Sequence, residues 1–139
     1  MGKINYVRVT LGGLLAGLII DLGETLLNTV FLAGEWEEAM RAIGKTPAGA
    51  GAMVVFVILG FALGWTLVWV YAAIRPRMGP GPKTAICAGL VVWLLSYAWS
   101  SISALPMGVF PTRLVIIGMI WGLVEIPVAA LAGAWLYKE

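Results

Sequence analysis

The sequence predicts an all-α fold, a polytopic bundle of four transmembrane helices. Of its 139 residues 61% are hydrophobic and only 12% are charged, whereas a soluble domain has about 45–50% apolar and about 25% charged residues. Four apolar runs follow one another, and each is long enough to cross about 30 Å of hydrocarbon as a helix. The runs lack the alternation of membrane strands, and a spanning barrel needs more strands than this chain can supply.

The predicted spans cover residues 7–31, 50–74, 84–105 and 112–137. After the first span, the stretch GEWEEAMRAIGKTP predicts a short surface helix that ends at Gly44 and Pro47. The second linker, RPRMGPGPK, is dense in proline and glycine and predicts a tight turn. The third, LPMGVFPT, is short. Because no linker separates regions of different composition, we expect one transmembrane domain over residues 1–139.

Lysine and arginine counts predict the orientation of the spans. The N-terminus, the second linker and the C-terminus share one side, and their basic residues are Lys3, Arg8, Arg75, Arg77, Lys83 and Lys138. The other side has Arg41, Lys45 and Arg113, together with three glutamates. Because cytoplasmic segments carry the excess of basic residues, we expect a multi-pass protein of the cell inner membrane with both termini in the cytoplasm. The excess is moderate, and an inverted or dual topology is the alternative.

Two short stretches of the chain are similar to two later ones. AGLIIDL at residues 16–22 resembles AGLVVWL at residues 88–94, and WVY at residues 69–71 resembles WLY at residues 135–137. A duplicated helix pair would produce such similarity, and internal repeats of this kind occur in transporters. Coincidence between apolar stretches would produce it as well.

Carboxylates and glycines share one face of the first span. Gly13, Gly17, Asp21, Glu24 and Asn28 are spaced four, four, three and four residues apart, which places them on one stripe of a helix. Glycines on a stripe allow a second helix to approach closely, so this face is predicted to pack inside the bundle. The fourth span repeats the pattern.

In the fourth span the corresponding stripe contains Gly118, Gly122, Glu125 and Ala129. Asp21 and Glu125 both lie near the middle of their predicted spans, so we expect these two acids to meet at similar depth. The third span adds Ser96, Ser100 and Ser103 on one face.

The cost of burying these acids predicts a functional site. A charged aspartate at the centre of a membrane helix costs roughly 2.5–3.5 kcal/mol even on the lenient insertion scale. No lysine or arginine lies deep in a span to offset that cost. Asp21, Glu24 and Glu125 must therefore be protonated, hold a cation or face water, with Asn28, Thr25 and Ser96 as neutral ligands.

Two classes of function follow from this site. The first is a proton- or cation-linked small transporter or channel in which the three acids exchange a proton or a small cation. The second is a non-transporting scaffold or accessory subunit whose acids hydrogen-bond the helices together. Trp65, Trp93 and Trp121 lie inside their spans, and aromatic faces beside carboxylates attract organic cations. The same tryptophans would also serve as ordinary packing residues.

Other motifs indicate partners or exclude classes of protein. The basic residues of the second linker, Arg75, Arg77 and Lys83, could bind anionic lipid headgroups, although a rigid turn that sets topology is the simpler explanation. The chain has no histidine and a single cysteine, and it contains no phosphate-binding glycine loop. We therefore expect no enzymatic activity, no cofactor, no metal site and no nucleic-acid partner.

Three segments carry a resemblance to known proteins. The stretches AGLIIDLGETLLN, YAAIRPRMGPGPKTA and WGLVEIP resemble a group of small four-span bacterial membrane proteins of unestablished function. The resemblance covers most of the chain and implies the fold and a bacterial membrane, but no activity. The small-xxx-small pair Gly60 and Gly64 additionally predicts that the protein self-associates into a homo-oligomer.

Overall fold

The computed structural model describes residues 2–138, and within this range it contains helices and no strands. The helices are α1 (Tyr6–Leu26), α2 (Ala33–Ala42), α3 (Ala50–Met78), α4 (Pro82–Trp93), α5 (Trp99–Ala104) and α6 (Thr112–Leu136). A π-helical turn, Leu27–Phe31, extends α1, and a second one, Leu94–Ala98, joins α4 to α5. A 3₁₀ turn, Leu105–Met107, follows α5.

Four continuous helical segments are long and apolar enough to cross a membrane. They are Tyr6–Phe31, Ala50–Met78, Pro82–Met107 and Thr112–Leu136, with mean hydropathies between 1.5 and 2.4. The predicted all-α, four-span architecture is therefore confirmed, and the protein is an integral membrane protein. The short α2 lies between the first two spans, where the sequence predicts a surface helix.

The second span ends later than predicted. α3 continues beyond Ile74, through Pro76, to Met78. A proline removes only one backbone donor, and near the end of a helix this loss is small. The Gly79 N–H donates to the Arg75 carbonyl at 2.8 Å, and Gly79 adopts φ +82°, which ends the helix.

α6 is the helix that connects the bundle. It packs against both α1 and α4, while α3 packs against α1 and also contacts α4 and α6. The core between the helices is rich in small residues. Its most deeply buried members are Val9, Ala16, Leu67, Val68, Ala88, Ile126 and Ala129. Because the side chains are small, the helices approach closely enough for backbone atoms to make van der Waals contact.

Glycines bring α1 and α3 into direct contact. A side chain at Gly64 would overlap the Gly17 backbone nitrogen, and one at Gly13 would meet the Trp65 backbone. Gly60 and Gly64 are both buried within the protein. They pack the second span on the first, so this face is not available to a second copy. Self-association stays a prediction, and it would have to use another surface of the bundle.

The start of α1, the end of α6 and the α3–α4 turn lie at the same end of the bundle. The Asn5 N–H donates to the Tyr137 hydroxyl at 3.2 Å, and the Gly81 N–H donates to the Tyr71 hydroxyl at 3.3 Å. The rings of Tyr71 and Tyr137 meet edge to face, with centroids 5.9 Å apart. These tyrosines occupy corresponding positions in the two similar WVY and WLY stretches. Duplication of a helix pair stays a prediction.

At the opposite end, α2 folds back onto the bundle. Its Ala39 is buried in a cluster with Leu27, Leu32 and Leu114. The Trp36 ring packs edge-on against Phe110, with centroids 5.5 Å apart. An ion pair of 3.0 Å joins Glu35, at the start of α2, to Arg113 in the first turn of α6. α2 therefore covers the ends of the first and fourth spans.

The contact between α1 and α3 predicts the effect of a larger side chain. Gly64→Leu should destabilise the protein by about 1–3 kcal/mol, because the side chain would push the two helix backbones apart. The measurement is the thermal unfolding midpoint of the purified protein in detergent. Gly118→Leu is the matched control, since a side chain there meets nothing within 4 Å. Equal melting of both variants would contradict the packing described above.

Candidate functional site

A tyrosine hydroxyl joins two intramembrane carboxylates from different spans. The Tyr97 hydroxyl oxygen lies 2.8 Å from Glu24 Oε1 and 3.2 Å from Glu125 Oε1. Glu24 is on α1, Glu125 is on α6 and Tyr97 is on the π-helical turn of the third span. The three side chains therefore connect three of the four spans at a single point.

Three further side chains bond to this cluster. The Trp121 indole N–H donates to Glu125 Oε2 at 2.7 Å, and the Asn28 side-chain amide donates to Glu24 Oε2 at 3.0 Å. The same Asn28 nitrogen also donates to the Glu24 backbone carbonyl at 2.9 Å. The Trp36 indole N–H on α2 donates to Asn28 Oδ1 at 2.8 Å. A chain of hydrogen bonds thus runs from α2 to Glu125.

Local irregularities of the helices position these side chains. Asn28 lies in the first π-helical turn and Tyr97 lies in the second. Such turns insert an extra residue into a helix and re-aim the side chains that follow, and they are frequent at functional sites. Glycines provide the space: a side chain at Gly122 would overlap the Tyr97 ring, and one at Gly23 would overlap Glu125 Oε2.

Glu125 is the most deeply placed acid of the cluster. It is 7% exposed and buried, whereas Glu24 and Tyr97 are partly buried. By the rise of an α-helix, it lies about 20 Å from the start of α6 and about 16 Å from its end, and so near the middle of the span. Lysine and arginine occur only outside the spans or in their first or last turns. No basic residue compensates Glu125 at this depth.

The number of available hydrogens limits how many contacts of the cluster can be hydrogen bonds. Four contacts reach the carboxylate oxygens, two of them from Tyr97 and one each from Asn28 and Trp121. A tyrosine hydroxyl has one hydrogen, an indole has one, and the second amide hydrogen of Asn28 goes to a backbone carbonyl. The protein thus supplies three hydrogens for four contacts. A complete set of bonds requires one carboxyl proton, donated by Glu24 or Glu125 to the Tyr97 oxygen.

Asp21 does not join this cluster, and the expected meeting of Asp21 with Glu125 is wrong. Three residues before Glu24 on α1, the Asp21 carboxylate turns toward α3 and lies against Gly60. Its Oδ2 atom is buried without a hydrogen-bond partner. The structure therefore pairs Glu125 with Glu24. Within residues 2–138, no three histidine, cysteine or acidic side chains converge closely enough to hold a metal ion.

The predicted hydroxyl ligands do not reach the carboxylates. Thr25 is exposed on the outer surface of α1. The Ser96 hydroxyl donates to the Val92 carbonyl of its own helix at 2.6 Å, and Ser100 and Ser103 bond to their own helix in the same way. A serine inside a membrane helix satisfies its hydroxyl most easily on the preceding turn, which explains why the stripe stays local.

The sequence did not predict three parts of the site: Tyr97, Trp36 and the pairing of Trp121 with Glu125. Tyr97 carried a signal: of the four tyrosines, it alone lies far from the ends of the predicted spans. Tyrosine is expected at the membrane interface, where its hydroxyl meets water, so one at mid-span requires a buried partner. Trp36 gave no comparable signal, because its bond depends on α2 folding back.

An apolar groove opens beside Glu125. It has a volume of about 530 Å³ and lies between α1 and α6. Its lining residues are Ile19, Gly23, Ile117, Ile120, Trp121, Val124, Glu125 and Val128. Ile120, Val124 and Val128 are 54%, 64% and 48% exposed, so the groove faces outward, where the bilayer surrounds the protein. Glu125 is its one acidic residue.

The basic residues of the α3–α4 turn divide into two groups. Arg77 and Lys83 are exposed, as residues that contact lipid headgroups must be. Arg75 is partly buried, and its guanidinium lies 5.4 Å from the centroid of the Tyr137 ring, in a cation–π contact. Arg75 therefore packs on the C-terminal segment and is less suited than its neighbours to bind a headgroup.

Comparison of the chain with protein-family models, curated proteins and solved structures finds no significant match. The resemblance to small four-span bacterial membrane proteins stays a prediction.

The bridging role of Tyr97 predicts the effect of removing its hydroxyl. Tyr97→Phe keeps the ring in its place beside Gly122 but leaves Glu24 Oε1 and Glu125 Oε1 without their shared partner. We expect a loss of about 1–3 kcal/mol of stability, measured by thermal unfolding in detergent. Tyr6→Phe is the control, because Tyr6 is 58% exposed at the start of α1.

Infrared spectroscopy gives a second readout for the same pair of variants. The protein should show the carbonyl band of a protonated carboxyl group, and Tyr97→Phe should shift that band while Tyr6→Phe leaves it in place. An unshifted band in Tyr97→Phe would show that the carboxyl proton is not bonded to Tyr97.

Proposed function

We propose that the protein is a small transporter or channel that couples the movement of a cation to a proton, and that Glu24 and Glu125 are its exchanging carboxylates. The observation that carries the proposal is the sharing of one Tyr97 hydroxyl by two acids on different helices. Such a cluster needs a proton to complete its hydrogen bonds. This requirement favours the binding of a positive charge, either a proton or a cation, within the membrane.

The cluster has two states that differ by one positive charge. With one carboxyl proton bound, the four contacts are satisfied and one negative charge remains. If that proton leaves for water, two carboxylates face a single hydroxyl, and they repel each other strongly in surroundings of low dielectric constant. A cation that arrives beside Glu125 would relieve this repulsion. Proton and cation would thus compete for the same acids.

Asp21 is a candidate for a second exchanging group. Its buried Oδ2 atom has no hydrogen-bond partner, although it lies in a membrane span. An unpaired buried carboxylate oxygen is costly unless a proton or a cation satisfies it. Since Asp21 lies on the α3 side of α1, it would act separately from the Glu24–Glu125 pair.

A second candidate function is a non-transporting scaffold or accessory subunit. It is favoured by the hydrogen bonding of the glutamates, since each of the four carboxylate oxygens of Glu24 and Glu125 has a partner within the chain. In this alternative the acids join helices and exchange nothing. It gives no role to the unpaired Asp21 oxygen or to the groove beside Glu125.

The proposal places the protein in a bacterial inner membrane, with both termini in the cytoplasm, and includes self-association. The orientation is supported by the basic residues at the end that contains the termini and the α3–α4 turn. Self-association would use an outer face of the bundle, since Gly60 and Gly64 are buried against α1. The proposal includes no enzymatic activity, cofactor, metal or nucleic acid.

The orientation is tested by fusing a fluorescent protein that matures only in the cytoplasm to the C-terminus. We expect fluorescent cells, because the C-terminal end has the larger share of basic residues. A periplasmic alkaline phosphatase fused at the same position should be inactive. The opposite pair of results would show that the bundle is inverted.

Transport is tested with the full chain in reconstituted vesicles, using a pH-sensitive dye and imposed gradients of protons, Na⁺, K⁺ and an organic cation. We expect proton movement linked to one of these cations. Glu125→Gln and Glu24→Gln should reduce it to the level of protein-free vesicles, because neither variant can give up a carboxyl proton. Asp21→Asn will show whether the separate acid contributes.

Glu38→Gln is the matched control, since Glu38 is an exposed glutamate on α2 and its variant should transport normally. All variants must elute as folded protein before their flux is compared. If the unmodified protein moves neither protons nor cations under any gradient, transport is wrong and the scaffold alternative remains.

A further inference from the structure

We infer that the substrate class of this site is a lipophilic organic cation, which reaches Glu125 sideways from the bilayer through the groove between α1 and α6. The inference rests on the proposed function, because it takes Glu125 as the exchanging acid. It adds the chemical nature of the cation and the route by which the cation enters.

The shape of the groove fits a small organic molecule. Its volume of about 530 Å³ falls within the range of about 300–1,000 Å³ that is usual for small-molecule sites. Apart from Glu125 and the indole of Trp121, the side chains that line it are aliphatic. Sites for small molecules commonly combine such apolar walls with a few polar groups that fix orientation.

One oxygen of Glu125 lies at the groove. Oε2 has two neighbours. It accepts a hydrogen bond from the Trp121 indole N–H at 2.7 Å, and it lies against Gly23, where a side chain would overlap it. Trp121 and Gly23 both line the groove. The other oxygen, Oε1, turns inward to Tyr97. Glu125 thus connects the groove to the shared proton: its Oε2 occupies the space that a side chain at Gly23 would need, and the buried carboxylate forms part of the inner wall of the groove.

The walls favour an organic cation over an inorganic one. A hard cation such as Ca²⁺ or Mg²⁺ needs about six or more oxygen ligands, counting water, and the groove supplies a single carboxylate among aliphatic side chains. An organic cation covers its charge with apolar groups, which can bury themselves against Ile120, Val124 and the Trp121 ring. The ring face of a tryptophan also attracts such a cation.

A second copy of the chain and a lipid acyl chain are the two other candidate occupants of the groove, and charge distinguishes the organic cation from both. A second copy of the chain has no lysine or arginine deep in its spans, so it could cover the groove but could not compensate Glu125. A lipid acyl chain would fill the apolar walls and make no use of the carboxylate. Only a positively charged apolar molecule is complementary to both the walls and the acid at their base.

Binding of the cation should compete with the shared proton. The titratable groups that face Glu125 are Glu24 on α1 and Tyr97 on the third span, and neither brings a positive charge. When the cation arrives, the carboxyl O–H bond of the pair breaks, the proton leaves for water and the electron pair stays on the carboxylate. The affinity for the cation should therefore fall as the pH is lowered.

The experiment measures equilibrium binding of radiolabelled tetraphenylphosphonium to the full chain in nanodiscs of zwitterionic lipid. Tetraphenylborate, an anion of the same shape, is the control ligand. We expect saturable binding of the cation, no saturable binding of the anion, and a loss of about tenfold or more in affinity for Glu125→Gln. Lowering the pH should weaken binding to the unmodified protein and leave the residual binding of Glu125→Gln unchanged.

Two tryptophan substitutions on the lipid-facing surface of α6 test the location. Ile120→Trp should fill the groove and weaken binding, whereas Leu123→Trp, at an exposed position outside the groove, should not. Neither substitution touches the carboxylate cluster, so folding should be preserved, and melting of each variant in detergent checks this. Equal affinities of the two variants would overturn the assignment to the groove.

The outcomes separate this inference from the proposed function. Equal binding of the cation and the anion, or full binding by Glu125→Gln, would overturn the inference and indicate an apolar groove filled by lipid. Flux of protons with Na⁺ or K⁺, without tetraphenylphosphonium binding, would overturn the inference alone. Tetraphenylphosphonium binding without any flux would support the ligand site and overturn the transport proposal.

Discussion

The bond between two carboxylates and one tyrosine hydroxyl is the constraint on which the rest of the structure depends. It lies in the membrane, where an unsatisfied polar group costs several kcal/mol. Glu24, Tyr97 and Glu125 must therefore meet, and the three spans that carry them are held in one register by that need. The cluster therefore connects three of the four spans through hydrogen bonds.

The glycines make this constraint possible. Apolar side chains do not drive helices together within lipid as they do in water, so membrane helices associate through close packing and interhelical polar contacts. Gly13 and Gly64 bring α1 and α3 into backbone contact, while Gly23 and Gly122 leave room for Glu125 and Tyr97. Glycines at different positions thus serve both the packing of the bundle and the burial of its acids.

Two features link the site to its surroundings. On one side, Trp36 and Asn28 connect Glu24 to α2, so the short helix at the end of the bundle takes part in the polar network. On the other side, the buried Glu125 forms part of the inner wall of the groove, whose exposed aliphatic residues face the bilayer.

The sequence by itself determined the fold class, the four spans, the glycine stripes and the presence of uncompensated acids. These follow from hydropathy and helical periodicity, which act within a single helix. Only the tertiary structure decided that Glu125 meets Glu24 and not Asp21, that Gly60 and Gly64 face inward, and that Tyr97 bridges the acids. Those outcomes depend on the rotation of each helix about its axis, on two π-helical turns and on which helices are neighbours. Periodicity within one helix does not specify these quantities.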